Sequence, residues 1–174
     1  MMSTPLVSVV TPTKRRPELL YRTMLSVAQQ SYSNIQHVIV GDDCPDLWNV
    51  ATVYAQQFPQ ALIVNVCSNY NDPCTSTYRA ARTARIRNIG IKLATGKYIA
   101  HLDDDDTYDV DHIARLVAVL ESDPTLGAAH SYRKIFERDG TPHIIKHHLW
   151  LPADSEEERK EYKRWVEMGN YVPN

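Results

Sequence analysis

Tyr98-Ile99-Ala100-His101-Leu102-Asp103-Asp104-Asp105-Asp106 decides how the chain is read: a short apolar run stops abruptly at four consecutive carboxylates. A run of that length is a buried strand, and it delivers the acids to the edge of a sheet. Downstream, Val110–Ser122 sets Ile113, Leu116-Val117 and Leu120 on one helical face. Upstream, Tyr78–Ala94 reads as a long helix closed by Gly96, in the usual place for a C-terminal glycine. Ala61–Val66 is a strand, Asp46 caps a helix to about Gln57, and Ile35–Val40 is a strand ended by Gly41-Asp42-Asp43. Pro17 opens an amphipathic stretch to about Gln30, and the first strand, Leu6–Val10, is stopped by Thr11-Pro12. Ser68–Ser76 reads as a loop, Gly127–Phe136 as a further strand and Glu156–Met168 as a charged helix.

Strand and helix therefore alternate through the first 122 residues. That order predicts an α/β fold, a mainly parallel central sheet flanked by helices on both faces. Ligands of such open sheets bind beyond the carboxyl ends of the strands. Thr11-Pro12-Thr13, Asp42-Asp43 and Asp103–Asp106 all lie at such ends and should share one crevice. With 174 residues the chain is expected to be one domain, with a first part about 5–122 and a second about 123–174.

The composition is that of a globular protein, 43% hydrophobic and 23% charged, with a formal net charge of -2. No basic excess suggests a nucleic-acid partner. No signal peptide or transmembrane stretch is read, so a cytoplasmic setting is expected. Cys44, Cys67 and Cys74 have no metal-type spacing and are expected to be reduced.

Two readings of the acidic run stand at this point. It is a solvated loop whose charges favour the N-terminus of the next helix, or its hard oxygens hold Mg²⁺ or Mn²⁺ against a substrate phosphate. Asp42-Asp43 is likewise a turn with a helix cap or an acceptor for a ligand N–H. Arg79, Arg82, Arg85 and Arg87 form a basic helix stretch, read as a solvated face with partial phosphate contact or, more adventurously, as a contact for a nucleic acid.

The motifs together carry a resemblance. Val7-Ser8-Val9-Val10-Thr11-Pro12-Thr13 with Arg16-Pro17-Glu18-Leu19-Leu20 resembles the opening of family 2 of the glycosyltransferases, which have the GT-A fold. Ser26–Tyr32, Val38–Asp43, Arg87-Asn88-Ile89-Gly90 and Ala94–Ile99 resemble the next motifs of that family in order. Leu102–Asp106 matches its D-x-D signature. The resemblance implies a metal-dependent, inverting enzyme moving a sugar from a nucleoside-diphosphate donor, a UDP-sugar by preference, to an acceptor hydroxyl. It implies that Thr11, Pro12 and Thr13 line the nucleotide pocket through their backbone, and that Asp43 accepts the imide N–H of a pyrimidine. Asp104 is then near the ribose, Asp105 ligates Mn²⁺ or Mg²⁺ with Asp103 in support, and Arg87 lies near the donor.

The family's general base falls some tens of residues after the D-x-D, shortly after a segment like Gly169–Pro173, and no residue here is identified for it. The sequence is therefore expected to be a fragment, to use another residue, or to bind donor without transfer. Asp154, Glu156–Glu158 and Glu167 are available carboxylates. His143, His147 and His148 have no diagnostic metal spacing, and Trp150 and Trp165 are a sugar-stacking and a core candidate. A nucleotidyltransferase would need a glycine-rich loop where Thr13-Lys14-Arg15-Arg16-Pro17 has none. A calcium loop would need a glycine and a terminal glutamate that are absent.

Overall fold

Val7–Thr13 forms β1, the buried spine of the sheet, with every residue of the strand inaccessible. The computed structural model describes residues 4–66, 79–136, 141–145 and 160. After β1 come α1 (Pro17–Ala28), β2 (Ile35–Asp42), α2 (Leu47–Gln57), β3 (Ala61–Val66), α3 (Arg79–Leu93), β4 (Tyr98–His101) and α4 (His112–Ser122). The four strands are parallel in the order β3-β2-β1-β4. This is the predicted architecture, and it puts the tips of β2 and β4 on either side of the tip of β1.

β1 runs three residues past its expected stop, through Thr11-Pro12-Thr13, and Pro12 pairs in register with Val40. A proline is tolerated there because of which way its missing N–H points. The Leu6 and Val10 carbonyls accept from Tyr98 and Leu102, whereas the Val7 N–H goes to Asn34. Even-numbered residues of β1 thus face β4 and odd ones face β2. Pro12 faces the β4 side, beyond the last registered pair, Val10 with His101, so no ladder bond is lost. β2 likewise runs on through Gly41 and Asp42, with Asp42 paired to Val66.

Alternation along β1 and β2 divides the core. Val7, Val9 and Ile35 meet Val27 of α1 with Ile113 and Val117 of α4. Ile39 meets Leu20 and Met24 of α1 with Leu47, Ala51 and Tyr54 of α2. On the opposite face Val10, Val38 and Val40 pack against Ile86 of α3. Each such side chain contributes about 1.5–3 kcal/mol when fully buried, so both faces lock the strand register.

Gly96 does not occupy the helix-ending position expected of it, since α3 ends at Leu93. Its lack of a side chain serves a close approach instead: a Cβ there would sit 2.6 Å from the Ser8 nitrogen and 2.8 Å from the Leu6 carbonyl oxygen. The buried Ser8 hydroxyl accepts the Thr95 and Gly96 N–H groups at 3.2 and 2.9 Å and donates to Gln36 at 2.6 Å. This fastens the turn before β4 to the start of β1. Asp46 and Asp111 stand at the N-cap positions of α2 and α4 without a side-chain capping bond. α4 begins at His112, two residues later than expected.

The chain divides into two compact units, Met1–Pro124 and Thr125–Asn174. In the second, β5 (Arg133–Phe136) pairs antiparallel with β6 (Pro142–Ile145). Only the last four residues of the expected Gly127–Phe136 strand are paired as a strand, and all four are exposed. The loop expected over Ser68–Ser76, Cys67, Cys74, the helix expected over Glu156–Met168, His147, His148, Trp150, Asp154 and Gly169–Pro173 lie outside the described residues, apart from a helical backbone at Lys160.

Candidate functional site

Four consecutive residues, the last of β1 and the three that follow it, tie the strand tips together. Thr13 donates its hydroxyl to Asp104 Oδ2 at 2.7 Å, Lys14 lies 3.5 Å from Asp42, Arg15 pairs with Asp43 at 2.8 Å, and Arg16 pairs with both Asp104 and Asp105. The end of the central strand thus sends successive side chains to the acids of both neighbours, and the three expected clusters meet at adjacent strand tips.

The acidic run is divided by burial. Asp104 is 1% exposed, whereas the side chains of Asp103 and Asp105 keep 42% and 46% of their surface. A buried carboxylate is costly unless fully paired. Asp104 has Thr13 and the Arg16 Nε (3.2 Å) on one oxygen and the Arg16 Nη2 on the other. The Thr23 hydroxyl reaches the carbonyls of Asp104 and Asp106 at 2.9 and 2.8 Å, which fixes the loop backbone to α1. Asp104, expected beside the ribose, is buried with both oxygens engaged by Thr13 and Arg16.

The flanking carboxylates are each held by one oxygen. Arg87 Nη2 donates to Asp103 Oδ1 at 2.5 Å, and Arg16 Nη1 to Asp105 Oδ2 at 2.7 Å. Burial works against the charge of Arg16, and the Asp104 and Asp105 carboxylates outweigh it, so its pKa is raised. Among the described residues no group of three or more His, Cys, Asp or Glu forms a ready-made metal centre. Two hard carboxylates on one turn nevertheless match what Mg²⁺ and Mn²⁺ take from a protein, one or two carboxylates completed by water and substrate phosphates.

Asp42 and Asp43 divide in the same way. Asp42 is buried at 5% exposure and pairs with Arg82 of α3, whose Nη2 donates to Oδ1 at 2.6 Å. Asp43 keeps 35% of its side-chain surface. Among the described residues, Arg15 and Asp43 are the non-glycine positions with positive φ, both at 53°. They hold each other there: Arg15 Nε donates to the Asp43 carbonyl at 3.1 Å and Nη2 to its carboxylate at 2.8 Å. Left-handed backbone at an arginine is uncommon and persists only where neighbours enforce it. The turn is further braced by Asn65, whose side chain accepts from the Cys44 N–H at 3.1 Å and donates to its carbonyl at 2.9 Å.

Beside the acidic run an open pocket of about 300 Å³ is lined by Arg87, His101, Asp103 and Asp106. Burial lowers the His101 pKa, Arg87 lowers it further, and Asp103 opposes both. Thr11 turns its side chain toward α2: its hydroxyl lies 2.9 Å from the His37 Nε2, and the Tyr54 hydroxyl lies 2.8 Å from Nδ1. His37 is fully buried, and burial drives its pKa down to about 3, so it is neutral. Thr11, Pro12 and Thr13 are themselves buried.

Lys14, Arg15, His37 and Asn65 carry no site role in the sequence reading, Arg16 stands there only as part of the opening motif, and Arg82 only within the basic helix stretch. One signal for three of them was present: Lys14-Arg15-Arg16 directly after the first strand supplies cations beside the acids expected at the neighbouring tips. The pairing of His37 with Thr11 had no local signal, since it joins residues in different strands.

The profile of "Glycosyl transferase family 2" matches residues 8–173, and the chain belongs to that family. It is 31% identical over 118 residues to a putative colanic acid biosynthesis glycosyl transferase, WcaA, of Escherichia coli (strain K12), covering 68% of this chain and 39% of the relative. It is 27% identical over 128 residues to the Escherichia coli UDP-Glc:alpha-D-GlcNAc-diphosphoundecaprenol beta-1,3-glucosyltransferase WfaP, covering 73% of this chain and 46% of WfaP. The chain therefore spans less than half the length of these two relatives. Among solved structures, the mannosyltransferase PcManGT from Pyrobaculum calidifontis, in complex with GDP-Man and Mn²⁺, superposes with a TM-score of 0.59 at 21% identity over 72% of this chain and 35% of that one. The S. aureus TarS 1-349 complex with UDP-GlcNAc superposes with a TM-score of 0.54 at 19% identity over 67% of this chain and 31% of that one. The fold is thus of GT-A type. No helix among the described residues is long and apolar enough to cross a membrane.

Proposed function

We propose that this chain carries the donor half of a divalent-cation-dependent, inverting glycosyltransferase that takes a sugar from a nucleoside diphosphate and passes it to an acceptor hydroxyl. The observation that carries the reading is the joining of three strand tips by Thr13, Lys14, Arg15 and Arg16, which sets Asp43 on one side of β1 and Asp103 and Asp105 on the other.

Asp43, the exposed member of its pair, accepts the imide N–H of the base, which favours uracil. The buried backbone of Thr11-Pro12-Thr13 forms the floor between base and phosphates. Asp105, with Asp103, would hold Mn²⁺ or Mg²⁺. A cation bound there supplies electrophilic stabilisation for the charge that develops on the departing diphosphate. Arg87 adds a fixed positive charge beside the pocket and orients Asp103. The sugar sits against the pocket of Arg87, His101, Asp103 and Asp106. The acceptor oxygen forms its bond to the anomeric carbon as the bond to the diphosphate oxygen breaks. The hydroxyl proton leaves to a carboxylate that the described residues do not assign. The names of WfaP and of the TarS complex point to a UDP-sugar, and that of PcManGT to the need to test GDP as well.

A thermal-shift series with UDP, GDP and their sugars, each with and without Mn²⁺, tests the reading. Ligand at one hundred times its dissociation constant stabilises by about 2.7 kcal/mol, a clear shift. Stabilisation by UDP and UDP-sugars that requires Mn²⁺ is expected. A larger effect of GDP would move the base assignment, and no effect of any nucleotide would overturn the donor site. Binding of donor without turnover would leave a sugar-nucleotide-binding module as the function.

A further inference from the structure

We infer that Arg16 is a specificity-determining residue for the cation: it holds Asp105 to single-oxygen ligation and so selects a small octahedral ion over Ca²⁺. The inference rests on the proposed cation site at Asp105 and Asp103. Arg16 is not a motif acid or a donor contact in the account above. It earns a role by its three bonds to two adjacent carboxylates.

Nε and Nη2 are both spent on Asp104, which is buried and fixed in turn by Thr13. A guanidinium is planar, so clamping one edge fixes where the third nitrogen points. That nitrogen, Nη1, donates to Asp105 Oδ2 at 2.7 Å. Arg16 cannot swing away from Asp105 without leaving a buried carboxylate without its counter-charge. Oδ2 is therefore held, and Oδ1 is the oxygen that Asp105 has left to offer. Arg87 does the same to Asp103 by holding its Oδ1 at 2.5 Å.

Each flanking carboxylate then has one oxygen to give. Mg²⁺ and Mn²⁺ form compact octahedra, keep several waters and accept carboxylates through one oxygen. Ca²⁺ takes six to eight oxygens and gains from carboxylates that bind through both. Releasing Oδ2 of Asp105 allows two-oxygen ligation and admits the larger ion. An arginine that merely stabilised the loop would change how much protein is folded, not which ion the folded protein prefers.

The test measures Mn²⁺ binding by electron paramagnetic resonance, and Ca²⁺ by competition, in the presence of UDP. The proteins are the full chain, R16K, and the double variant R16Q/D104N. Lysine at 16 keeps a counter-charge for Asp104 but lacks the fork that reaches Asp105. The double variant replaces the buried ion pair by a neutral amide pair, and it covers the case in which R16K folds poorly. Outer-sphere partners change metal affinity by about ten- to a hundredfold. The preference for Mn²⁺ over Ca²⁺ is expected to fall at least about tenfold in a folded variant. An unchanged preference in either folded variant overturns the inference while leaving the cation site standing. No divalent binding by the unaltered chain overturns the cation site itself, and this inference with it.

Discussion

Asp104 is the residue on which the site's geometry turns, because it is the member of the acidic run that water does not reach. Thr13 supplies its one neutral donor. Thr13→Val keeps the shape of the side chain and removes that donor. It should destabilise the protein by about 1–3 kcal/mol, read as a lower urea midpoint with unchanged slope. An unchanged midpoint would mean that Arg16 alone satisfies Asp104. His37 gives a second prediction at this scale. Its pKa is about 3 when folded, against about 6.5 in the unfolded chain. Between those values the unfolded chain binds a proton that the folded one refuses, so stability is lost as pH falls from about 6.5 towards 3 and is untouched above that window. His37→Gln should make the fall of stability with pH shallower by up to about one proton, measured from urea midpoints between pH 7 and pH 4. Parallel curves for the two proteins would contradict the burial argument. His101 and His112 also have lowered pKa values, so the difference between the proteins, not the slope of either, isolates His37. The motif acids could be picked from the sequence because they are consecutive and follow a strand. Which of them is buried could not, since that depends on Thr13 and Arg16, some ninety positions away.

At the scale of elements, α3 and β1 approach closely enough that Gly90 admits no side chain. A Cβ there would lie 2.4 Å from the Val10 Cγ1 and 3.3 Å from the Val40 Cγ2. Gly90→Ala should cost about 1–3 kcal/mol by overpacking. Adding Val10→Ala should recover part of that loss, because the clash is with a side chain. Gly96→Ala meets backbone atoms of Ser8 and Leu6. Adding Ser8→Ala should not rescue it, because the backbone clash remains, and melting temperatures of the two single and two double variants check the contrast. Equal rescue at both glycines would contradict it. The elements themselves were readable with small errors at their ends. β1 extended beyond Pro12 because the proline faces the side where the ladder has already ended, which no local rule reveals. The Gly127–Phe136 stretch kept only its final four residues as strand because those alone have a partner, Pro142–Ile145, across the hairpin.

At the scale of the whole molecule, the alternation of strands and helices fixed the order of the first unit, and the family match extends over residues 8–173. The chain spans 39% of WcaA and 46% of WfaP, so the account concerns donor recognition first. Nucleotide contacts are proposed only within Met1–Pro124, which forms its own compact unit. The central claim is that one nucleotide is gripped at Asp43 and, through a cation, at Asp105. Isothermal titration of UDP with and without Mn²⁺, in the unaltered chain, Asp43→Ala and Asp105→Asn, tests it most directly. The account predicts tight binding that needs Mn²⁺, a loss of that Mn²⁺ dependence in Asp105→Asn, and weaker binding with the Mn²⁺ dependence kept in Asp43→Ala. Equal UDP affinity with and without Mn²⁺ in all three proteins would contradict it.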